Sequence, residues 1–456
     1  MVQVLNATFD GVTDVARLPT QSDVSWNGSF IGYYSVFYSV PNDLLRANVS
    51  LTGSNWTVKT LRFGAETKNK TNITDLDNSG GRRIDFLELG FNSDVELIST
   101  RVRYIYGWDG DKHEVKLGDQ QSGSTSSINL YAKENIVTTG NAWVQSINTG
   151  GDAATAIGDT ITIGSGGAGS IRTGSATDKV TTTTGYVGSI FTGDGKDTVK
   201  TGASYVEFIH TGDHNDKVTI GAGGAETVKT GSHNDTVITG TGWVGSITTG
   251  GGDDKVTLGS GSAGFIYLGN GDDTLFLKPT DADGGVVVFA GAGEDTINFS
   301  KFKTGVVFSL SQQGEWQNPA APNGDLELTG QGYVLVQGVE NVVGTNKGDV
   351  LTGDSSANTL TGRKGADVLA GLKGNDILIG GGGKDTFVFA DGGGTDRVKD
   401  YNQADDTLQI ADHVGGFASL TISDQGANLK IVYDGGTILL LGEAGTVLTA
   451  ADFDFV

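Results

Sequence analysis

A period of 19 residues between Asp159 and Asp273 constrains the fold of this chain more than any other feature of its sequence. An aspartate returns at every step, although Asp and Glu together supply only 54 of the 456 residues. Three aliphatic columns keep the same step and begin at Ile161, Ala168 and Ile171. The aspartate column is Asp159, Asp178, Asp197, Asp216, Asp235, Asp254 and Asp273. Such a repeat stacks the apolar residues of each unit on those of the next, which predicts a solenoid.

Each unit is predicted to hold two short strands joined by Gly-rich turns, as in TGDGKDTVK at 192–200. Glycine supplies 73 residues, β-branched residues are frequent, and no apolar stripe recurs at 3.6 residues, so a helical repeat is excluded. We therefore expect an all-β fold: a parallel β-solenoid, the β-roll or β-helix type, with coils about 4.8 Å apart and a small N-terminal β-domain.

A second array begins at Asp349 and has a tighter step of nine residues, which Asn358, Asp367, Asp376 and Asp385 continue. Successive nine-residue half-coils point to opposite sides of a roll. Positions 349, 367 and 385 are therefore expected on one edge, and 358 and 376 on the other. The 19-residue coils are interpreted as the same arrangement with only one acidic edge.

The Asp-Gly turns predict cation sites. Glycine adopts turn conformations that other residues avoid and exposes carbonyl oxygens, while the final Asp directs a carboxylate between two stacked turns. Oxygen donors without His or Cys favour Ca²⁺, and the chain contains no Cys. The alternative is a column of Asp side chains that only cap turns through backbone N–H groups. Carboxylates about 4.8 Å apart repel by roughly 0.9 kcal/mol at ε ≈ 80, and by about 3.5 at ε ≈ 20, which favours a cation between them. We therefore expect the chain to fold on Ca²⁺ binding outside the cell.

The expected calcium ligands are the repeat aspartates and the turn glycines. They are Asp178, Gly193, Gly195, Asp197, Asp216, Asp235, Gly250, Gly252, Asp254, Gly269, Gly271, Asp273, Gly291, Gly293, Asp295, Asp349, Gly362, Gly365, Asp367, Gly371, Gly374, Asp376, Gly380, Gly383 and Asp385. Asn358 replaces an aspartate, the segment 174–176 lacks the second turn glycine, and His214 and His233 replace that glycine in two coils. Sites at these positions are expected to be weaker or empty.

These turns resemble the nonapeptide GGxGxDxUx of the RTX (repeats-in-toxin) family. The resemblance is closest over 342–410, which includes GRKGADVLAGLKGNDILIGGGGKDTFVF and is similar to the C-terminal roll of serralysin-type secreted proteins, and it is looser over 159–300. The segment 305–345 also resembles the one that often precedes such rolls. The resemblance implies calcium between successive turns.

The RTX resemblance also implies export by a type I ABC transporter that reads an uncleaved C-terminal signal. The terminus LTAADFDFV is similar to that signal, since Asp452 and Asp454 precede Phe455 and Val456. The N-terminal start has no basic segment and no apolar segment, so a Sec signal peptide is not expected. No run of 18 apolar residues occurs, so membrane insertion is not expected.

Charge and motifs narrow the function further. The net charge of −23 disfavours nucleic acid as a partner because phosphates would be repelled. HEVKL at 113–117 begins like a zincin motif but has Leu117 where the second His belongs, and no G-x-S-x-G is present. The histidines are therefore interpreted as surface or turn residues. Arg172, His210 and Lys229 share an outward column that could form a sugar groove, although a solvated mixed face is the favoured interpretation.

Two groups of aromatic residues remain. Residues 1–104 are rich in them and are interpreted as a β-domain or as the start of the solenoid, with core packing, glycan binding or self-association as alternative roles. Tyr186, Tyr205 and Trp243 share one 19-residue column and are either exposed or packed under a loop.

The predicted organisation is an N-terminal β-domain or cap (1–104), a solenoid of 19-residue coils (105–300), an irregular β insertion (301–345), a nonapeptide roll (346–400) and a C-terminal cap with the secretion signal (401–456). As a whole, the chain is most similar to RTX-type surface-layer and extracellular matrix proteins of Gram-negative bacteria. This resemblance implies a secreted, calcium-dependent structural protein without an active site, which self-associates into a surface layer or extracellular array. The alternatives are an RTX adhesin, with cell-surface polysaccharide or lipopolysaccharide as partner, and a β-helix enzyme that modifies polysaccharides.

Overall fold

The computed structural model confirms the expected fold class, because the described chain is built from parallel β-solenoid coils. Before residue 101 the structure describes only the strand segments; from there it describes everything except 109, 119–123, 151–156, 279–284, 318–332, 391 and 412. The chain divides into two compact units, Met1–Ser232 (unit 1) and His233–Val456 (unit 2). No helix in the described residues is long and apolar enough to cross a membrane.

In the described part of unit 1, the strands form two parallel sheets, and each 19-residue coil contributes one strand to each sheet. The first sheet contains β1 and the even-numbered strands, and the second contains the odd-numbered strands from β3 onward. The strands are β1 (Val4–Phe9), β2 (Asp23–Trp26), β3 (Ser35–Tyr38), β4 (Arg46–Leu51), β5 (Thr57–Phe63), β6 (Lys70–Asp75), β7 (Arg83–Leu89), β8 (Asn92–Leu97), β9 (Arg101–Gly107), β10 (Lys112–Leu117), β11 (Thr125–Leu130), β12 (Glu134–Thr138), β13 (Val144–Asn148), β14 (Thr160–Ile163), β15 (Ala168–Arg172), β16 (Lys179–Thr182), β17 (Val187–Phe191), β18 (Thr198–Lys200), β19 (Val206–Asp213), β20 (Lys217–Thr219) and β21 (Ala225–Ser232).

The N-terminal strands follow the same pattern as the later coils. β4 pairs in parallel with β6, and β5 pairs in parallel with β7. The described strands of residues 1–104 therefore pair as those of the later coils do, and the division of this segment from the solenoid stays a prediction. The aromatic side chains expected there before residue 84 lie outside the described residues.

The aliphatic columns of the sequence form the core. Ile161 pairs with Val180, and Ile171 pairs with Ile190, each one coil further along. These four side chains are fully buried. Because residues in parallel strands stack directly on their equivalents, a 19-residue step in the sequence becomes an aliphatic column along each sheet.

In the described part of unit 2, a third sheet is added. β22, β24, β26, β28, β32, β34, β36, β38 and β40–β42 form one sheet, β23, β25, β27, β31 and β30 the second, and β29, β33, β35, β37, β39 and β43 the third. The elements are β22 (Thr236–Ile238), β23 (Val244–Gly251), β24 (Lys255–Thr257), β25 (Ala263–Asn270), β26 (Thr274–Phe276), β27 (Val286–Ala292), β28 (Thr296–Asn298), β29 (Val307–Ser309), β30 (Trp316–Gln317), β31 (Val334–Gln337), β32 (Asn341–Val343), β33 (Val350–Thr352), β34 (Thr359–Gly365), β35 (Val368–Ala370), β36 (Ile377–Gly383), β37 (Thr386–Phe389), β38 (Gly394–Val398), β39 (Thr407–Ile410), β40 (Thr421–Gln425), β41 (Asn428–Tyr433), β42 (Gly436–Leu440) and β43 (Phe453–Phe455), with short 3₁₀ turns at Leu310–Gln312, Gly416–Ser419 and Ala450–Asp452.

The nine-residue step produces the two-sided roll that the sequence predicts. β33, β35 and β37, which follow positions 349, 367 and 385, pair with one another. β34 and β36, which follow 358 and 376, pair in a different sheet. The described parts of 301–345 also continue the coils, since β31 pairs in parallel with β27 and β32 with β28. At the end of the chain, β40–β42 form an antiparallel sheet, and β42 and β43 join β38 and β39 in parallel.

Candidate metal centres

Each repeat aspartate of unit 1 is hydrogen-bonded to the coil next to it. The backbone N–H of Asp159 donates to Oδ1 of Asp178 (2.6 Å), that of Asp178 to Oδ1 of Asp197 (2.8 Å), and that of Asp197 to Oδ1 of Asp216 (2.8 Å). All four residues are buried. The capping arrangement that the sequence left as an alternative is therefore present, but it uses one oxygen of each carboxylate.

The second oxygen of the carboxylate has a different environment. For seven aspartates, Oδ2 is buried and finds no hydrogen-bond partner among the described residues. These are Asp178, Asp197, Asp254, Asp273, Asp295, Asp367 and Asp376. A buried carboxylate oxygen without a donor is costly, so the row of these oxygens marks positions where a cation would be stabilising.

The same arrangement recurs in unit 2. Asp254 donates its N–H to Oδ1 of Asp273 (2.7 Å), and Asp273 donates to Oδ1 of Asp295 (2.9 Å). In the nonapeptide roll, Asp349 donates to Asp367 (2.7 Å), and Asp367 donates to Asp385 (2.9 Å). A separate column on the other edge begins where Asn358 donates to Oδ1 of Asp376 (2.8 Å). The predicted aspartates thus lie in columns, one carboxylate per coil.

Burial raises the pKa of these carboxyl groups far above the ordinary aspartate value. Desolvation is the largest cause, and the pKa rises to about 7 for Asp197, Asp273 and Asp367 and to about 6 for Asp178 and Asp254. The charge on a neighbouring coil also raises the pKa of Asp273, through Asp254 and Asp295. The folded columns therefore favour neutralisation, by a proton or by a cation.

The turn glycines are required by the way the coils stack. Among the predicted glycines, eleven adopt positive φ: Gly193, Gly195, Gly250, Gly252, Gly269, Gly271, Gly291, Gly293, Gly365, Gly374 and Gly383. At Gly195 a Cβ would collide with the carbonyl oxygen of Ala176 in the adjacent coil. At Gly362, Gly371 and Gly380 a Cβ would instead collide with the carboxylate five residues later. The glycines therefore bring backbone carbonyls and carboxylates together in the narrow space between turns.

These surroundings fit Ca²⁺. No group of three or more His, Cys, Asp or Glu side chains that could hold a metal occurs in the described residues, and the oxygens that lie close together in the turns are carboxylates and backbone carbonyls. Carboxylate and carbonyl oxygens are the donors that Ca²⁺ takes, in six- to eight-fold coordination. Which of the predicted aspartates and glycines hold an ion stays a prediction.

At three positions a non-glycine residue occupies the conformation of the second turn glycine. The φ values are +113° at Ala176, +83° at His214 and +75° at His233, whereas the equivalent Gly195 lies at +140°. The fold therefore imposes the same turn on these coils despite the substitution, and the backbone carries strain there.

The columns extend beyond the residues that the period identified. Asp295 donates its N–H to Oε2 of Glu340 (2.9 Å), Asp376 to Oδ1 of Asp396 (3.0 Å), and Asp385 to Oδ1 of Asp406 (2.9 Å). Insertions before Glu340, Asp396 and Asp406 break the regular spacing. Asp396 and Asp406 still precede an aliphatic residue by two positions, as Asp367 does, and this pattern is the signal that could have found them.

His113 corrects the expectation that the histidines are surface or turn residues. It is fully buried, its Nε2 lies 2.7 Å from the carbonyl oxygen of Trp108, and burial lowers its pKa. The register pairs it with Asn135, which in turn occupies the position of Asp159 one coil later. His113 therefore fills the aspartate column in an earlier coil, as a neutral side chain.

The proposed sugar groove is also altered by the structure. The Arg172 guanidinium lies over the Phe191 ring, 4.6 Å from its centroid, and Phe191 separates Arg172 from His210 in the register. Tyr186 and Trp243 are exposed rather than packed under a loop, 42 % and 48 % respectively.

The nonapeptide roll is similar in sequence to a known repeat family. The family profile of the RTX calcium-binding nonapeptide repeat (4 copies) matches residues 337–369 and 362–396. The roll is made of RTX repeats. Repeats of this kind bind calcium in multiple copies, and proteins that carry them are typically secreted. The two RTX matches cover β32–β37 and the first residues of β38, which include three strands of the third sheet, β33, β35 and β37, and the two edges of aspartate columns.

The similarity of the whole chain to other known proteins is slight. No curated protein matches the chain. One structural match is the extracellular lipase LipA from Serratia marcescens, at 16 % identity and a TM-score of 0.20. That match covers 54 % of this chain and 40 % of the lipase chain, so the chain spans less than half of it.

Proposed function

We propose that this is a secreted structural protein without an active site, stiffened by Ca²⁺ and assembled into a surface layer or extracellular array of a Gram-negative bacterium. Export would use a type I ABC transporter. The observation that carries the proposal is a buried carboxylate that recurs on successive coils, with one oxygen hydrogen-bonded and the other without a donor. Examples are Asp178, Asp197, Asp254 and Asp273. A cation at each step would convert repulsion along the column into attraction, and its binding free energy would become folding free energy.

The second candidate is an adhesin that binds glycans. The observation in its favour is a row of partly exposed aromatic residues in unit 2, where Phe265 and Tyr267 are nearly half exposed. However, Tyr267 stacks face to face on Phe289 (centroids 5.2 Å apart, planes 9° apart) and on Phe265 (6.3 Å, 16°). The Tyr267 ring is therefore partly covered by Phe289 of the next strand in the sheet, which favours a role in stacking the coils.

The proposal is tested by negative-stain electron microscopy of the purified chain in EDTA and in ~5 mM Ca²⁺, within the extracellular range. Ordered sheets or filaments that form only with Ca²⁺ are expected. Dispersed particles in Ca²⁺ would reject the array and leave adhesion as the better candidate. Particles that are fully folded in EDTA would reject the coupling of calcium to folding. Turnover of a uronate polymer that is lost in Arg172→Ala would support the enzyme alternative instead.

A further inference from the structure

One outward face of unit 1 has a charge opposite to that of the chain. Lys179, Lys200 and Lys217 lie on three successive strands of the same sheet, β16, β18 and β20, and all three are exposed. The other outward positions of this surface, from β14 to β20, are threonines: Thr160, Thr162, Thr181, Thr198 and Thr219. We refer to these eight residues as the lysine face. It contains no acidic residue, although the chain carries 54 Asp+Glu against 31 Lys+Arg.

The register spaces the three charges regularly. Lys179 pairs with Thr198, and Thr198 pairs with Lys217, so these two lysines share one column two coils apart. Lys200 lies in the neighbouring column on the coil between them. The lysine face therefore presents one ammonium group per coil, at a pitch of about 4.8 Å along the sheet.

These ammonium groups differ from those of other lysines in the chain. Lys112 and Lys116 pair with Glu134 and Glu96, and Lys255 lies over the Phe276 ring at 4.7 Å. None of the three lysines of the lysine face forms an ion pair within the described residues. Their charge is therefore available to a partner.

Unit 2 carries a complementary column. Asp253, Asp272 and Glu294 are exposed, and each lies one residue before a buried aspartate of the calcium column. Asp272 donates its N–H to Oδ1 of Asp253 (3.0 Å), and Glu294 donates to Oδ1 of Asp272 (2.9 Å). These bonds hold the three residues in register, one per coil, through the carboxylates of Asp253 and Asp272, and we refer to the three residues as the acidic edge. Within the described residues, no cation pairs with them.

We propose that the lysine face of one molecule binds the acidic edge of a second copy of this chain. This inference rests on the proposed array and names one of its contacts. Each surface presents one charge per coil, at a spacing of about 4.8 Å, so opposite charges of the two molecules meet along several coils. Because the two surfaces are different, the contact is heterologous, and repeated contacts of this kind generate rings or open filaments.

The first experiment measures the concentration at which the calcium-loaded chain begins to assemble, by sedimentation in ~5 mM Ca²⁺ and ~50 mM NaCl. The triple variant Lys179→Glu, Lys200→Glu, Lys217→Glu is expected to raise this threshold by about tenfold or more, because like charges then face each other. Replacing the same lysines by Arg should leave the threshold unchanged. The control with the same charge change is Lys278→Glu, Lys301→Glu, Lys303→Glu, three exposed lysines that are not part of the lysine face, and it should assemble like the wild type.

The second experiment neutralises the acidic edge with Asp253→Asn, Asp272→Asn, Glu294→Gln, which keeps an oxygen at Asp253 and Asp272 to accept the backbone N–H groups. The threshold should again rise. When both sets of changes are combined, the threshold should rise by less than the product of the two separate fold-increases, because both sets remove the same contact. Each variant is first checked for a wild-type calcium-dependent melting transition, and Lys→Gln at the three positions replaces Lys→Glu if that transition is lost.

The outcomes separate the inference from the function on which it rests. A wild-type chain that never assembles rejects the array itself. A wild type that assembles, with variants that assemble equally well, overturns only this contact. This contact is also overturned if the combined variant raises the threshold by the full product of the two separate fold-increases. Variants that assemble normally but no longer bind a polyuronate resin would assign the lysine face to an acidic polysaccharide instead.

Discussion

The backbone N–H of Asp178 donates to Oδ1 of Asp197 in the next coil, at 2.8 Å, while Oδ2 of the same Asp197 carboxylate is buried without a donor. One oxygen thus ties two coils together, and the other remains available for a cation. Because this relationship recurs in both units, removing calcium should weaken many coils at once.

Acidification should substitute for calcium. The pKa values of Asp197 and Asp273 are raised to about 7, against 3.8 for an ordinary aspartate. Between these values the folded state holds more protons than the unfolded state, so without calcium the stability falls as the pH rises from about 4 to 7. In EDTA we expect β-structure, measured by circular dichroism, to increase from pH 8 to pH 5.5. With Ca²⁺ present, lowering the pH should weaken calcium binding, because protons compete for the same oxygens. Stability in EDTA that rises with pH would contradict this account.

Replacing Asp367 by Asn should remove one calcium site from the roll. Asp367 is fully buried, and its Oδ2 has no donor, while its Oδ1 accepts the N–H of Asp349. If one site saturated about 100-fold above its Kd is lost, stability in Ca²⁺ should fall by about 2.7 kcal/mol. Stability in EDTA should not fall in the same way, because a neutral side chain removes repulsion from the column. Isothermal titration calorimetry gives the stoichiometry, and Asp454→Asn, an exposed carboxylate, is the control.

Gly252 and Gly251 provide a matched pair for the turn geometry. Gly252 has a φ of +121°, and a Cβ there would collide with the His233 backbone, whereas Gly251 has open space around it. Gly252→Ala should lower the free energy of unfolding by about 2 kcal/mol or more. Gly251→Ala should change it by less than about 0.5 kcal/mol. Urea unfolding in Ca²⁺ measures both, and equal effects would rule out the stacking argument.

Ala176→Gly should stabilise the protein. The φ of +113° at Ala176 is strained for alanine and relaxed for glycine, so a gain of about 1 kcal/mol is expected. Ala203, an exposed residue outside the positive-φ region, is the control. Ala203→Gly should lower the free energy of unfolding by about 0.5 kcal/mol, because glycine increases the conformational entropy of the unfolded chain. If both substitutions changed the free energy of unfolding in the same direction, the strain at Ala176 would be contradicted.

The sequence by itself determined the solenoid, its aliphatic columns and the two edges of the roll. Residues that recur at 19 or nine positions must stack when strands are parallel, so Ile161 on Val180 follows from spacing alone. The sequence could not place Glu340, Asp396 or Asp406 in the acidic columns. Insertions before these residues change the spacing, although the chain still returns to the same column. Only the tertiary structure decided which carboxylate oxygen is bonded and which is not, and that His113 occupies the aspartate column. Those facts depend on how far one coil lies from the next and on the burial that the stacking creates, and no single coil contains that information.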